Sequence, residues 1–309
     1  MKAEKENPSI VGTLAGETKE GLDGASGLPD KIARYSEARR LALRMQSFAA
    51  NAGHVKEAKK LAECANYLLF RHYYTVDKVR LHAASFCKKH LLCPMCAIRR
   101  GSKMLTSYLE RYEAVRASHP HLIPYLVTVT VKNGPDLAER LRHLRAALKR
   151  MMHARRDYLR NPQKRPFVEF ARSMGGFHSI EVTNKGQGWH PHGHMIWLCA
   201  SPPDQTAFSK EWHDLTGDSF IVDVRPLHDP VEGFLEVCKY ALKFSDLDLA
   251  DNWHAYEVMS GQRLIDSHGL FRGVEIPESL LDVPLDDLPY VELLYRYIIG
   301  VGYSFTPKR

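Results

Sequence analysis

GGFHSIEVTN at residues 175–184, KGQGW at 185–189 and HPHGHMIWLCA at 190–200 make one continuous stretch. Two runs of short-period alternation flank a glycine-rich turn, which is the pattern of an antiparallel hairpin. In a strand, residues two apart point to the same side, so His192 and His194 present two imidazoles next to each other and His190 could stand third in line. Met195-Ile196-Trp197-Leu198 then buries the strand and fixes the direction in which the histidines point. Neutral imidazole is the commonest metal ligand. A divalent ion held by two imidazoles takes further ligands, and Glu181 projects from the partner strand at a level that suits it.

Reading outward from the hairpin, IPYLVTVTVKN (123–133) is a strand that ends in a turn at Asn133-Gly134-Pro135, and a long basic helix follows over Pro135–Leu159. Beyond the hairpin, SPPDQTAFSKEWHDLTG (201–217) reads as a helix, FIVDVRPL (220–227) as a strand and PVEGFLEVCKYALKF (230–244) as a helix. The order β-α-β-β-α-β-α predicts an α+β fold, an antiparallel sheet with helices on one face in the ferredoxin-like or RRM-like manner. No internal repeat is visible. In the last helix, spacings of four and three place Glu236, Tyr240 and Lys243 on one face with Lys239 beside them, while Phe234, Val237, Leu242 and Phe244 can face the core. A tyrosine can act as a covalent nucleophile where a metal and cations offset the developing charge.

Upstream, IARYSEARRLALRMQSFA (32–49) predicts a helix, and a second is expected from Val55 to Phe70, carrying Cys64. LHAASFCKKHLLCPMCAIRR (81–100) has no convincing periodicity, so something other than an apolar face must order it. Cys93 and Cys96, two residues apart, form the tight half of a zinc site, with Cys87 close enough to be third. Cys64, His82 or His90 could be the fourth ligand. Metal binding would then supply folding energy to a segment with little core. Cys199 and Cys238 sit in apolar contexts and read as small core residues.

The chain has 309 residues, 44% hydrophobic and 26% charged, enough for a buried core and incompatible with disorder throughout. Its net charge of +7 hides a gradient. Residues 31–116 hold 18 Lys/Arg against 6 Asp/Glu, residues 135–172 hold 11 against 4, and residues 246–309 hold 5 against 11. A polyanion would meet the first half of the chain. Composition divides it into a tail (1–29), a basic helical zinc-binding module (30–116), a central domain (117–250) and an acidic C-terminal segment (251–309) packed on the core. No apolar run suits a membrane span or secretory signal, so a soluble cytoplasmic protein with reduced cysteines is expected.

YLVTVTVKN (125–133), HSIEVTN (178–184) leading into WHPHGHMIW (189–197), and EVCKYALK (236–243) resemble, in order and spacing, the three motifs of the HUH endonuclease superfamily. The chain is most similar to the rolling-circle replication initiators of small plasmids that carry a single catalytic tyrosine, over residues 64–244. The resemblance implies an HUH core in which His192 and His194 hold Mg or Mn, Tyr240 attacks a DNA phosphate and Glu236 activates water in the closing step. It favours Cys64 as the fourth zinc ligand, because LAECANYLLF (61–70) precedes the first motif as in these initiators. Gly193 departs from the pattern, which has a bulky apolar residue between the histidines. SGQRLIDSHGLFRGV (260–274) resembles the region after the tyrosine motif.

The function so implied is metal-dependent nicking at a plasmid origin through a 5′-phosphotyrosine, on single-stranded or hairpin DNA. A host helicase and DNA polymerase are the expected partners. No nucleotide cofactor is expected, since GxxxxGK[ST] is absent. Lys88, Lys89, Arg99, Arg100, Lys103 and Lys239 are candidate DNA contacts, with Tyr73 and Tyr74 as stacking aromatics. A relaxase or single-tyrosine transposase would use the same chemistry. A reading of another class is a non-catalytic, zinc-dependent DNA-binding regulator, in which the histidines and Tyr240 only pack.

Overall fold

A computed structural model describes residues 24–184, 186–240 and 247–307; the side chains of Lys239 and Tyr240 are not among those described. Lys243, with Leu242 and Phe244 of the expected core-facing set, lies outside the described residues. The described residues form two compact units, 24–104 with 276–307, and 105–275.

In the first unit, helix α1 (Leu28–Asn51) starts inside the stretch expected to be tail, with Pro29 in its first turn and Leu28 already buried. Its buried line of Tyr35, Ala38, Ala42, Met45 and Ala49 repeats every three or four residues. Helix α2 (Val55–Glu63) is shorter than the helix expected to run to Phe70. Cys64 is extended and Ala65 takes a left-handed φ of 53°, so the chain leaves the helix and Tyr67–Tyr73 becomes strand β1. Leu68-Leu69-Phe70 reads equally well as buried helix or strand, and pairing on both sides decides for strand. Arg39, 2% exposed, caps α2 by donating to the Leu61 and Ala62 carbonyls and to Asn66 Oδ1, each at 2.6 Å. Strand β2 (Lys78–Ala84) occupies part of the segment without periodicity. Two late strands, β8 (Val291–Ile298) and β9 (Gly302–Phe305), complete an antiparallel sheet of order β2-β1-β8-β9. The acidic C-terminal segment is therefore divided, its part from 276 onward belonging to the unit that holds the cysteines.

Helix α3 (Pro94–Ser118) contributes Arg99 to this unit. Arg99 is not a DNA contact, because it is only 2% exposed and fully engaged within the fold. It donates to Leu280 O at 2.8 Å, Tyr35 Oη at 3.0 Å and Asp282 Oδ1 at 2.5 Å. Asp282 also accepts from the Leu81 amide at 2.7 Å. Burial opposes ionisation of Asp282, but the Arg99 guanidinium and the Leu81 N–H outweigh it and hold the carboxyl below its usual range. A depressed folded-state pKa contributes stability that is present at neutral pH and lost as pH falls below about 4. Asp282→Asn leaves a buried guanidinium without its counter-charge and should cost about 3–5 kcal/mol. Urea unfolding at pH 7 checks this, and the gap between variant and wild type should narrow as the pH is lowered through the carboxylate range.

The second unit contains β3 (Ile123–Thr130), α4 (Leu137–Arg160), β4 (Ser173–Asn184), β5 (Trp189–Cys199), α5 (Gln205–Thr216), β6 (Val222–Pro226), α6 (Pro230–Tyr240), α7 (Leu249–Met259) and β7 (Ile265–Gly269). From β3 to α6 the element order is β-α-β-β-α-β-α. The strands form one antiparallel sheet of order β6-β3-β5-β4-β7, with the histidine strand β5 in the middle. Asp136 and Asp204 cap α4 and α5 through their carboxylates. In the β4–β5 turn, Gly188 has a φ of 88°, and a Cβ there would lie 2.7 Å from Gly134 O, where Gly134 bridges to Trp189.

Helices cover both faces of this sheet rather than the single face expected. Trp197 packs on Phe208 of α5 and on Phe170, over which Arg155 of α4 lies, while Phe177 packs on Phe234 of α6 from the other side. The reason is in β5 itself: Met195 and Trp197 point one way and Ile196 and Leu198 the other, and all four are buried. Among the described residues, no helix is long and apolar enough to cross a membrane.

Candidate metal centres and the tyrosine helix

Strand register brings the hairpin's polar residues together. His192 lies opposite Glu181 on β4, and His194 opposite Thr128 on β3. One carboxylate oxygen, Glu181 Oε2, sits 2.8 Å from His192 Nε2 and 3.2 Å from His194 Nε2. Glu181 is 1% exposed, and the three ligand atoms lie within 4.8 Å of one another.

The remaining ring nitrogens show what such a group needs. His192 Nδ1 is 3.1 Å from His190 O, and a carbonyl only accepts, so Nδ1 carries the proton. With Nδ1 donating, Nε2 is the atom turned toward the carboxylate, and a proton or a metal cation between Nε2 and Glu181 Oε2 would satisfy both. His194 Nδ1 is 3.1 Å from Thr128 Oγ1, which can accept its proton and turn Nε2 toward Glu181 Oε2 as an acceptor. Burial is the largest influence on His194 and lowers its pKa, so a proton there is disfavoured. Two imidazoles and a buried carboxylate suit a divalent ion of the Mg, Mn or Zn kind. His190 is not part of this group; its Nδ1 lies 2.5 Å from Asn133 Oδ1.

Helix α6 packs on β4 and β5 over the same face, where Ser179 Oγ donates to Val237 O at 2.7 Å. Phe177, Phe234, Phe271 and Tyr108 form an aromatic cluster beside it, with Tyr108 stacked on Phe177 at 3.9 Å. Glu236 projects near enough for its charge to favour the protonated form of His194. Tyr240 is the last residue of α6, with its side chain outside the described residues, as is that of Lys239.

In the first unit, Cys64, Cys87, Cys93 and Cys96 bring their sulfurs within 4.8 Å of one another. Cys64 Sγ is 3.6 Å from both Cys93 Sγ and Cys96 Sγ, and Cys87 Sγ is 3.5 Å from Cys96 Sγ. Those separations are too long for disulfides, whose S–S bond is about 2.05 Å, and close to the roughly 3.8 Å edge of a tetrahedron with Zn–S bonds of about 2.3 Å. Neither His82 nor His90 is in the group. Ala65's left-handed turn delivers Cys64, and the start of α3 delivers Cys93 and Cys96. Hydrogen bonding with Cys64 lowers the Cys87 pKa and raises those of Cys93 and Cys96. A bound dication would deprotonate all four.

Lys88 is exposed and Lys89 partly so. Arg100 donates to Pro277 O at 2.9 Å, and Lys103 Nζ lies 3.6 Å from Asp282. Tyr73 is 1% exposed and its hydroxyl accepts from the Leu285 amide, which removes it from the expected stacking residues, whereas Tyr74 is 54% exposed. Thr128 and Asn133 were not singled out as site residues. The VTVT alternation puts Thr128 and Thr130 on one face, but which face meets the histidines depends on the register between strands that are far apart in the chain.

The profile of the Replication protein family matches residues 78–291. The chain is 25% identical over 279 residues to Protein rep of Bacillus amyloliquefaciens, covering 77% of each chain. It is 25% identical over 277 residues to Protein rep of a Bacillus species, with 76% of this chain and 85% of the relative covered. To Protein rep of Streptococcus pneumoniae it is 26% identical over 231 residues, 69% of each chain. No solved structure matches. The family match includes both hairpin strands, the tyrosine helix and three of the four clustered cysteines. The chain belongs to the Replication protein family and is an initiator of plasmid rolling-circle replication, as its three motifs led us to expect.

Proposed function

We propose that this initiator nicks one strand of its origin DNA, becomes linked to the 5′ end through Tyr240, and later rejoins or releases that end. The observation that carries the proposal is the Glu181–His192–His194 cluster on the sheet face beneath α6, the helix that ends in Tyr240. A Mg or Mn ion held by these three residues would polarise the scissile phosphate and offset the charge that builds up on it. The Tyr240 phenol oxygen forms a bond to phosphorus, losing its proton, and the bond from phosphorus to the 3′ oxygen breaks. That oxygen takes up a proton and leaves as a free 3′ hydroxyl, which a host polymerase can extend behind a helicase. In this reading Lys239 and Lys243 would supply positive charge to the phosphate. The phosphotyrosyl bond keeps the phosphodiester's free energy, so rejoining needs no nucleotide cofactor. A structural zinc held by Cys64, Cys87, Cys93 and Cys96 would order the first unit. The core so read is that of the HUH endonucleases.

Glu236 lies one helical turn before Tyr240 and near enough to His194 for its charge to act on that imidazole. A carboxylate there is suited to take the proton of a water that attacks the phosphotyrosine in the closing step. Glu236→Gln should form the adduct at a near-normal rate and release it at least about 100-fold more slowly. Time courses of adduct formation and decay on a single-stranded origin oligonucleotide check this. Loss of both steps together would move Glu236 to metal binding or structure, and an unchanged decay rate would remove it from the mechanism.

A further inference from the structure

Helix α4 buries Leu137, Leu141, Leu144, Ala147, Leu148 and Met151, together with Arg140. Its opposite face carries Arg142, Lys149, His153, Arg156 and Arg160, all exposed. At about 100° per residue these five fall within roughly 40° of one line along the helix, diametrically across from the buried set. The other residues on that line are Ala138 and Ala146, so it contains no acidic side chain. Other basic residues of α4 are used within the fold: Arg140 pairs with Asp218 at 2.9 Å, Arg145 donates to Gln262 at 2.7 Å, and Arg155 donates to Ser173 O at 2.6 Å. Among the described residues, the one carboxylate paired to the line is Asp157, 3.5 Å from Arg156 Nε, and that pair is half exposed on both sides. Surface pairs of this kind are weak and yield readily to another anion.

We propose that this line is a track for the phosphate backbone of duplex DNA. It lies on the side of the sheet away from the Glu181–His192–His194 cluster, since α4 and α5 cover the Trp197 face and α6 covers the other. From Arg142 to Arg160 it runs about 27 Å, the axial length of about eight base-pair steps of duplex at about 3.4 Å each. Charge complementarity selects a rigid linear polyanion. Single-stranded DNA is held on aromatic platforms, and the line carries none. A membrane surface would need an apolar helix face, and the apolar face of α4 is already in the core. The inference goes beyond nicking: it assigns duplex and scissile strand to opposite faces of one sheet, so that the protein can stay on the double helix while the other face works on an opened strand.

The test is fluorescence anisotropy with a random-sequence duplex over a series of salt concentrations, without added Mg or Mn. The variant carries Arg142→Gln, Lys149→Gln, Arg156→Gln and Arg160→Gln, and its fold is checked by thermal melting. Duplex affinity should fall at least about tenfold at 0.1 M salt, and the slope of log K against log salt should flatten by up to about 3.6, at about 0.9 for each phosphate no longer neutralised. Adduct formation on a single-stranded origin oligonucleotide should be retained, so failure of the track and failure of the nicking mechanism are read separately. A charge-matched variant with Lys56, Lys59, Lys60 and Lys78 changed to Gln should lose clearly less duplex affinity than the α4 variant. Replacing the three arginines of the line with lysine should keep binding. Unchanged duplex affinity in the first variant, an equal fall in the charge-matched one, or a parallel loss of single-strand nicking would overturn the assignment.

Discussion

Tyr240→Phe should form no covalent protein–DNA adduct and should lower nicking of a single-stranded origin oligonucleotide by more than about 10⁴-fold, since nothing replaces a deleted nucleophile. The phenol is a small part of the DNA-binding surface, and phosphate contacts supply most of the affinity, so binding should change less than about threefold. That split between chemistry and binding separates the nuclease from a DNA-binding regulator, in which the substitution would leave every readout unchanged. Gel resolution of labelled DNA under denaturing conditions, beside a binding isotherm for the same variant, measures both halves. A normal adduct yield would take Tyr240 out of the reaction.

The second large effect concerns the four cysteines. One zinc per chain is expected by metal analysis, with an apparent binding free energy of about 10–16 kcal/mol that serves as folding energy for the first unit. Cys93 is fully buried within the group, so Cys93→Ser should lose the zinc and unfold that unit, seen as a large drop in its melting temperature and early proteolysis. Cys64→Ser should lose zinc as well, whereas His82→Ala and His90→Ala should retain it, because the sulfur of Cys64, and neither imidazole, lies with those of the other three cysteines. Full zinc content in Cys64→Ser with loss in a histidine variant would reverse the choice of fourth ligand.

What could be read before folding and what could not follows from the range of the interactions involved. The β4–β5 hairpin is local: a short glycine turn sets the register, and a period of two then places Glu181, His192 and His194 on one face, so the cluster was visible in the sequence. Cys93 and Cys96 are two residues apart and equally legible, while Cys64 depended on the family resemblance because a turn at Ala65 had to bring it back. Strand β1 was hidden because one of its two partners, β8, comes from near the other end of the chain, and nothing local distinguishes Leu68-Leu69-Phe70 in a strand from the same run in a helix. Arg99 illustrates a further limit. A basic residue in a basic segment looks like a phosphate contact until Asp282, distant in sequence, closes over it. The cover on both faces of the second sheet was implicit in β5, where large apolar residues occupy successive positions, a pattern closer to a strand buried on both sides than to one with a solvent face.

The most direct test of the central claim is to trap the adduct on a single-stranded origin oligonucleotide, digest both components, and identify by mass spectrometry the residue that carries the nucleotide phosphate. The expected product is a phosphotyrosine at Tyr240, formed with Mn or Mg and absent from the His192→Ala and Glu181→Gln proteins. A nucleotide on any other residue, or the same yield in the presence of a chelator, would contradict it.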